Sequence, residues 1–222
     1  MHEKDELNAG DQLSIEEAVR LLHAYTAEHL PEIDDRKEEE LVAIIRTYDT
    51  YVRPNFLAWM RSALREVKSS EAVAACADNI ACEEQEDHPA MLTAFTAQLS
   101  IYPIREVNEE PIIKVVEDLN GHTRSGLQLL LMMAGMENAS CAFIPWMEKA
   151  ADRLGMLDRT YLVKHGVADI AHAKEFVRAS QAELKLLEEQ DNLDSNKRYQ
   201  SLEHVGAFFR EIFNVRIKDK DS

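Results

Sequence analysis

Two histidines and an aspartate recur along one predicted helical face in the C-terminal half of the chain. His165, Asp169 and His172 are spaced at i, i+4 and i+7, and such side chains project from one side of an α-helix. Leu162 and Phe176 lie on the same stripe, so this face is expected to be buried. A buried carboxylate is costly without a partner, and a metal ion satisfies a carboxylate and imidazoles together. The stripe therefore predicts metal ligands; the alternative is a polar face satisfied by neighbouring helices or by solvent.

A second candidate site is the acidic segment from Cys82 to Pro89, which contains one histidine. On a helix, Glu84 and His88 stand one turn apart and can bind one metal ion together. Glu83 lies five residues from His88 and points away from it on an ideal helix, so Glu84 is the preferred ligand and Glu83 the alternative. Acidic runs are more often solvated helix faces, and that interpretation stays open for this segment.

A third candidate is Glu137, which lies inside a long apolar run. It is the only formal charge between Arg124 and Glu148. A lone carboxylate costs free energy when it is buried, unless it is neutralised or coordinated. Glu137 is therefore either a buried functional group or the point at which the helix breaks.

These segments together supply carboxylates and imidazoles from three predicted helices. Helical bundles build carboxylate-bridged metal pairs from inward-pointing Glu, Asp and His side chains of this kind. Oxygen and imidazole ligands suit iron or manganese. A structural zinc site is disfavoured because Cys76, Cys82 and Cys141 form no pair at ligand spacing.

Helical signals surround these residues, and no segment has the alternating pattern of a strand. Ser14 can cap a first helix that ends near Pro31, and Pro111 can open a later one. Asp158 can cap the helix that carries the histidine stripe, which is predicted to run to about Glu189. Further helices are predicted over residues 35–51, from Pro54, from Glu71 toward His88, from Gly121 through Met136, and from Ser195.

The composition agrees with an all-α fold, because glycine (7) and proline (6) are scarce among the 222 residues. We expect a single domain over residues 1–222, with residues 1–13 forming a loose N-terminal segment. Lys and Arg number 25 and Asp and Glu number 41, so the formal net charge is −16. This charge disfavours nucleic acid and anionic membranes as partners.

The expected location is the cytoplasm. The N-terminal segment is too polar and acidic for a signal peptide, and the longest apolar run, residues 127–136, is about half a membrane span. Apolar residues of the last predicted helix either pack internally or form a self-complementary patch; we favour the patch and hence expect a homodimer. These residues are Leu202, Val205, Phe208, Phe209 and Phe213.

The order of the candidate ligands is similar to that of the heme-oxygenase-like diiron oxidases and oxygenases. In that family a Glu…His pair is followed by a lone Glu and then by His-x-x-x-Asp-x-x-His, here His165 to His172. The last motif commonly starts with Asp-x-x-aromatic, as Asp158-Arg-Thr-Tyr161 does here. The resemblance covers roughly residues 71–176, and further family-like pairs are Asn79-Ile80, His88-Pro89 and Ile144-Pro145.

The resemblance implies a single-domain, seven-helix heme-oxygenase-like bundle that binds two Fe(II)/Fe(III) ions and uses O2 as cosubstrate. The implied reaction is oxidation of a small molecule, an amino acid or amine above all, by N-oxygenation, desaturation or oxidative C–C cleavage. The implied iron ligands are Glu84, His88, Glu137, His165, Asp169 and His172, with Glu83 as the alternative to Glu84.

Other functions remain open from the sequence. A metal-free or haem-binding member of the same fold would use the polar stripe as a proton relay or a haem contact. A thiaminase II-like hydrolase needs a nucleophilic cysteine near carboxylates, for which Cys141 is the nearest candidate. A non-enzymatic helical interaction module explains the charge but not the histidines on a core face. Lys149 is either a reactive amine or a solvated helix lysine.

Overall fold

The computed structural model describes residues 13–121, 124–190 and 198–218, which are mostly helical. These residues contain no strand, and their β-type pairing is limited to an isolated antiparallel bridge between Val107 and Ile217. The α-helices are α1 (Ile15–His29), α2 (Glu38–Val52), α3 (Phe56–Glu66), α4 (Ser70–Gln85), α5 (His88–Ala97), α6 (Glu110–Gly121), α7 (Gly126–Arg153), α8 (Thr160–Glu189) and α9 (Gln200–Phe213). A 3-10 turn covers Gln98–Ile101.

The expected all-α fold is confirmed, while the described residues contain nine α-helices instead of the expected seven. There are more helices than expected because breaks in the backbone separate short helices from the neighbouring ones. Asp87, for example, has a left-handed backbone (φ 53°) between α4 and α5. Residues 1–12 of the predicted loose segment, and the predicted helix start at Ser195, lie outside the described residues.

The long apolar helix α7 forms the centre of the bundle. It packs most extensively against α8 and also contacts α1, α3 and α9. It begins after Ser125, whose Oγ accepts the N–H of Gln128, and not at Gly121 as predicted, because Gly121 ends α6. Within the described chain, α7 is the one helix long and apolar enough to cross a membrane, but 78% of its most apolar window is buried inside the bundle. That burial is the pattern of a central bundle helix.

Several helix ends lie where the sequence predicts them. Ser14 Oγ accepts the N–H of Glu17 at the start of α1, at 3.2 Å. Gly155, just after α7, has a φ of +65°, which glycine adopts without strain. Asp158 Oδ1 accepts the N–H of Thr160, the first residue of α8, at 2.9 Å. These ends fix where α8, the helix with the histidine stripe, begins.

The apolar residues of α9 face the interior. All members of the predicted patch are buried: Leu202, Val205, Phe208, Phe209 and Phe213. Phe209 and Phe213 pack against the Phe143 ring of α7, with ring centroids 6.0 and 5.4 Å away. The predicted surface patch on α9 is therefore wrong, because the same side chains supply the packing between α9 and α7. The expectation of a homodimer has no support from this helix.

Candidate metal centre

The histidine stripe of α8 lies in the interior of the bundle. His165, Asp169 and His172 are each less than 10% exposed. Glu137 of α7 and Glu83 of α4 lie beside them and are 3% and 4% exposed. The stripe is therefore a buried polar face on which three helices bring carboxylates next to imidazoles.

The first cluster of candidate ligands comprises Glu83, His88 and His165. One ligand atom from each residue lies within 4.8 Å of the others. His88 Nδ1 is 2.7 Å from Glu83 Oε1, and the rings of His88 and His165 have centroids 4.5 Å apart. The three side chains can therefore reach one common position between them.

The second cluster comprises Glu137, Asp169 and His172, whose ligand atoms also lie within 4.8 Å of one another. His172 Nδ1 is 3.6 Å from Glu137 Oε1. Asp169 joins the two clusters, because its Oδ1 accepts a hydrogen bond from Nδ1 of His165 at 2.8 Å. The six residues thus form one continuous buried site with two ends.

Several polar atoms of this site have no hydrogen-bond partner. They are His165 Nε2, Asp169 Oδ2 and His88 Nε2, the last of which has only an ion-pair contact with Glu86 Oε2 at 3.5 Å. Buried polar atoms in proteins are nearly always paired, and imidazole nitrogens with carboxylate oxygens are the ligands that iron and manganese prefer. Neither cluster contains a thiolate. The donor set therefore fits iron.

Burial and crowding change the acid–base behaviour of the site. Burial raises the pKa of Glu137 to about 7, and the charge of Asp169 adds to this effect while His172 opposes it. Burial alone lowers the pKa of His165, but the hydrogen bond and the charge of Asp169 outweigh it, so the pKa is raised. Burial also lowers the pKa of His172, but the hydrogen bond and the charge of Glu137 outweigh this effect, so the pKa is raised. Without a cation, Glu137, His165 and His172 therefore keep their protons to a higher pH than usual. A bound cation would displace these protons.

Two tyrosines line the cavity at this site. Tyr48 of α2 and Tyr161 of α8 are both 3% exposed, and their hydroxyl oxygens are 3.2 Å apart. Burial raises the pKa of both phenols, so both remain protonated. Tyr161 has a sequence signal, because it lies four residues before His165 on the same stripe. Tyr48 has none, since nothing distinguishes it from other aromatic residues on buried faces.

Glu84, the preferred ligand from the sequence, lies outside the site. Its side chain is about half exposed and accepts a hydrogen bond from Arg61 Nη2 at 2.5 Å. The prediction assumed that one helix continues from Glu84 to His88, but α4 ends before His88 and the left-handed Asp87 changes the chain direction. That turn brings His88 beside Glu83. The preference for Glu84 over Glu83 is therefore corrected.

The comparison with protein families agrees with this donor set. A family model described as iron-containing redox enzyme matches residues 41–203, which is well over half of the chain. All six residues of the two clusters lie within the matched range. No curated protein and no solved structure shows significant similarity to the chain.

Proposed function

The chain belongs to the iron-containing redox enzymes, a family with the heme-oxygenase-like fold, and from this premise we propose that it is a non-haem diiron oxidase or oxygenase. In this proposal it uses O2 to oxidise a small molecule, an amino acid or an amine. The observation that carries the proposal is the pair of adjoining buried clusters, which share a boundary at Asp169. One cluster is enough for a single ion, so two adjoining clusters favour two ions.

The two iron ions would be held by the residues of the two clusters, Glu83, His88 and His165 for one and Glu137, Asp169 and His172 for the other. When bound, iron supplies the electrons that reduce O2 and so makes the oxidation of an unactivated bond accessible. The chain itself buries the carboxylates and imidazoles and so keeps water from the site. Tyr48 and Tyr161 add neutral hydroxyl groups at the cavity, which can form hydrogen bonds with a water molecule there.

Haem binding is disfavoured by the space at the site. The cavity lined by His88, His165 and Asp169 has a volume of about 30 Å³. That volume holds ions or a water molecule and is far too small for a porphyrin.

Thiaminase II-like hydrolysis is disfavoured by the state of Cys141. Burial, together with the charges of Asp169 and Glu137, raises the pKa of this thiol to about 12. The thiolate is the nucleophile, so a thiol with such a pKa is a weak one. Cys141 also lies outside both clusters, as does Lys149, which is exposed on α7.

The direct test is an anaerobic titration of metal-free protein with Fe(II), followed by mixing with O2. We expect two equivalents of iron per chain, and O2 consumption that accelerates when the correct amino acid or amine is supplied. Asp169→Ala removes the residue that joins the clusters, so iron affinity and the rate of O2 consumption are expected to fall by about tenfold or more.

Glu84→Ala is the matched control for this experiment, because Glu84 is a nearby carboxylate outside both clusters. It is expected to keep the iron content and O2 kinetics of the wild type. An Asp169→Ala protein with normal iron content and unchanged O2 kinetics would contradict the diiron proposal. It would favour a metal-free function instead.

A further inference from the structure

A groove on the outside of the bundle lies next to the metal centre. It runs between α1, α7 and α8 and has a volume of about 670 Å³, which is in the range of pockets that bind small molecules. The cavity at the two clusters, at about 30 Å³, has no room for an organic molecule. The groove is therefore the better candidate for binding one.

The rim of this groove is cationic. Arg20 of α1 and Lys174 and Arg178 of α8 line it. None of the three forms an ion pair or a side-chain hydrogen bond among the described residues. The one carboxylate that lines the groove, Glu16, accepts a hydrogen bond from Gln181 at 3.2 Å.

The floor of the groove is largely apolar. Val19, Ala173 and Val177 line it, and so does Ile170, an apolar side chain that is 48% exposed. Three cations that have no ion-pair partner among the described residues, above an apolar floor, match a ligand that has a negative head and an apolar body. We propose that this groove binds an organic anion with an apolar body, such as an alkyl or aryl carboxylate.

The groove also adjoins the second cluster along the chain. Cys141 of α7 lines it one helical turn after Glu137, and the charges of Asp169 and Glu137 act on its thiol. Resting on the proposed function, this placement favours a substrate that carries a carboxylate, such as an amino acid, over a plain amine, which the three cations repel. Binding of the anion itself requires no metal ion.

The test is calorimetric titration of the full-length protein, metal-free and anaerobically iron-loaded, with octanoate, octylamine and octanol. These probes share one apolar chain and differ in charge. We expect octanoate to bind with a dissociation constant of about 1 mM or below, and octylamine not to bind. The double variant Lys174→Gln/Arg178→Gln is expected to weaken octanoate binding by about tenfold or more, because two charge-assisted contacts are lost.

Two further variants locate the binding. Val177→Trp places a large side chain in the groove and should also abolish octanoate binding. Lys149→Gln removes an exposed cation of α7 outside the groove and should leave octanoate binding unchanged. The proposal is overturned if octanoate does not bind, if the double variant binds it as tightly as the wild type does, or if octylamine binds equally well.

The metal-free arm separates this proposal from the diiron proposal. Octanoate binding that depends on the groove cations, in a protein that consumes no O2 when loaded with iron, would leave the groove assigned and reject the oxidase. Substrate-dependent O2 consumption, together with octanoate binding that does not depend on the groove cations, would support the oxidase and reject the groove proposal.

Discussion

Two adjacent glutamates at the end of α4 have opposite environments. Glu83 is 4% exposed and contacts His88, whereas Glu84 is about half exposed and contacts Arg61. We therefore expect Glu83→Ala to lower iron affinity by about tenfold or more, since it removes one of three ligands of a cluster. Glu84→Ala removes only a surface ion pair, so it should change the free energy of unfolding by less than about 1 kcal/mol.

Iron analysis after anaerobic loading and desalting compares the two alanine variants directly. Both variants lose one negative charge, and the substituted positions are neighbours in the chain. Each variant therefore serves as the control of the other. Equal iron retention in both, or greater loss in Glu84→Ala, would show that the assignment of the first cluster is wrong.

The protonation of Glu137 gives the metal-free protein a pH dependence with a definite sign. Its pKa of about 7 in the folded chain lies above the ordinary value of 4.5, so the folded state holds this proton more tightly than the unfolded chain does. The resulting stabilisation is complete below about pH 4.5 and is lost as the pH rises through about 7. The raised pKa values of His165 and His172 act with the same sign, above the ordinary value of 6.5.

Glu137→Gln replaces this titrating carboxyl by a neutral group of similar shape. We expect the Tm of the metal-free wild type to fall relative to that of Glu137→Gln as the pH is raised from about 5 to 8. Scanning calorimetry in the presence of a chelator measures this difference, and Glu84→Gln controls for the loss of one exposed charge. A difference between wild type and Glu137→Gln that does not change with pH would contradict the expected protonation.

At the scale of helices, a buried carboxylate of α8 holds the start of α4. Glu183 is 1% exposed, and its carboxylate accepts the N–H of Ser69 at 2.8 Å and the N–H of Lys68 at 3.1 Å. These N–H groups precede the first turn of α4, the helix that ends near Glu83. The contact therefore ties α4 to the helix that carries the histidine stripe.

Glu183→Ala leaves these backbone N–H groups without their partner. We expect the free energy of unfolding of the metal-free protein to fall by about 2–4 kcal/mol, as measured by urea denaturation. Glu189→Ala, at the exposed end of the same helix, should change it by less than about 0.5 kcal/mol. Equal effects of the two substitutions would mean that the Glu183 contact does not stabilise the fold.

Helical spacing explains which parts of the site the sequence predicts. The shared face of His165, Asp169 and His172 follows from the 3.6-residue period alone, because all three residues lie in one unbroken helix. The choice between Glu83 and Glu84 depends instead on a break in the helix. Aspartate tolerates a left-handed backbone better than most residues do, but this weak preference at Asp87 does not override a helical pattern in the sequence.

At the scale of the whole molecule, the two clusters join four helices, α4, α5, α7 and α8. A metal ion that binds these residues together binds only the folded chain, so it stabilises the fold by about 2.7 kcal/mol at a free concentration of 100 times its dissociation constant. We expect Fe(II) under anaerobic conditions, and Mn(II) in air, to raise the Tm of the wild type by more than that of Asp169→Ala, which keeps only the first cluster intact. No rise in the wild type at saturating Fe(II) and Mn(II) would contradict a metal site in the folded chain.

The groove between α1, α7 and α8 marks the limit of prediction from the sequence. Arg20 and Lys174 lie far apart in the chain, and neither has a local pattern that distinguishes it from other surface cations. Their presence at one groove depends on how α1 packs against α8, which is set by many small contacts across the core. The burial of the Phe208 and Phe209 side chains has the same origin, since apolar residues on a helix pack equally well against another chain or against their own core.

Half of the cluster residues come from one uninterrupted stretch of α8. An α-helix advances about 1.5 Å per residue, so the backbone positions of His165 and His172 are held about 10 Å apart along the axis whatever happens in the loops. The helix therefore fixes the spacing of these ligands. An insertion or deletion of one residue between these histidines turns one of them by about 100° away from its cluster, whereas substitutions at the exposed Gly166 or Val167 leave the spacing intact. We therefore expect this stretch to tolerate substitutions at its exposed positions but not a change in its length.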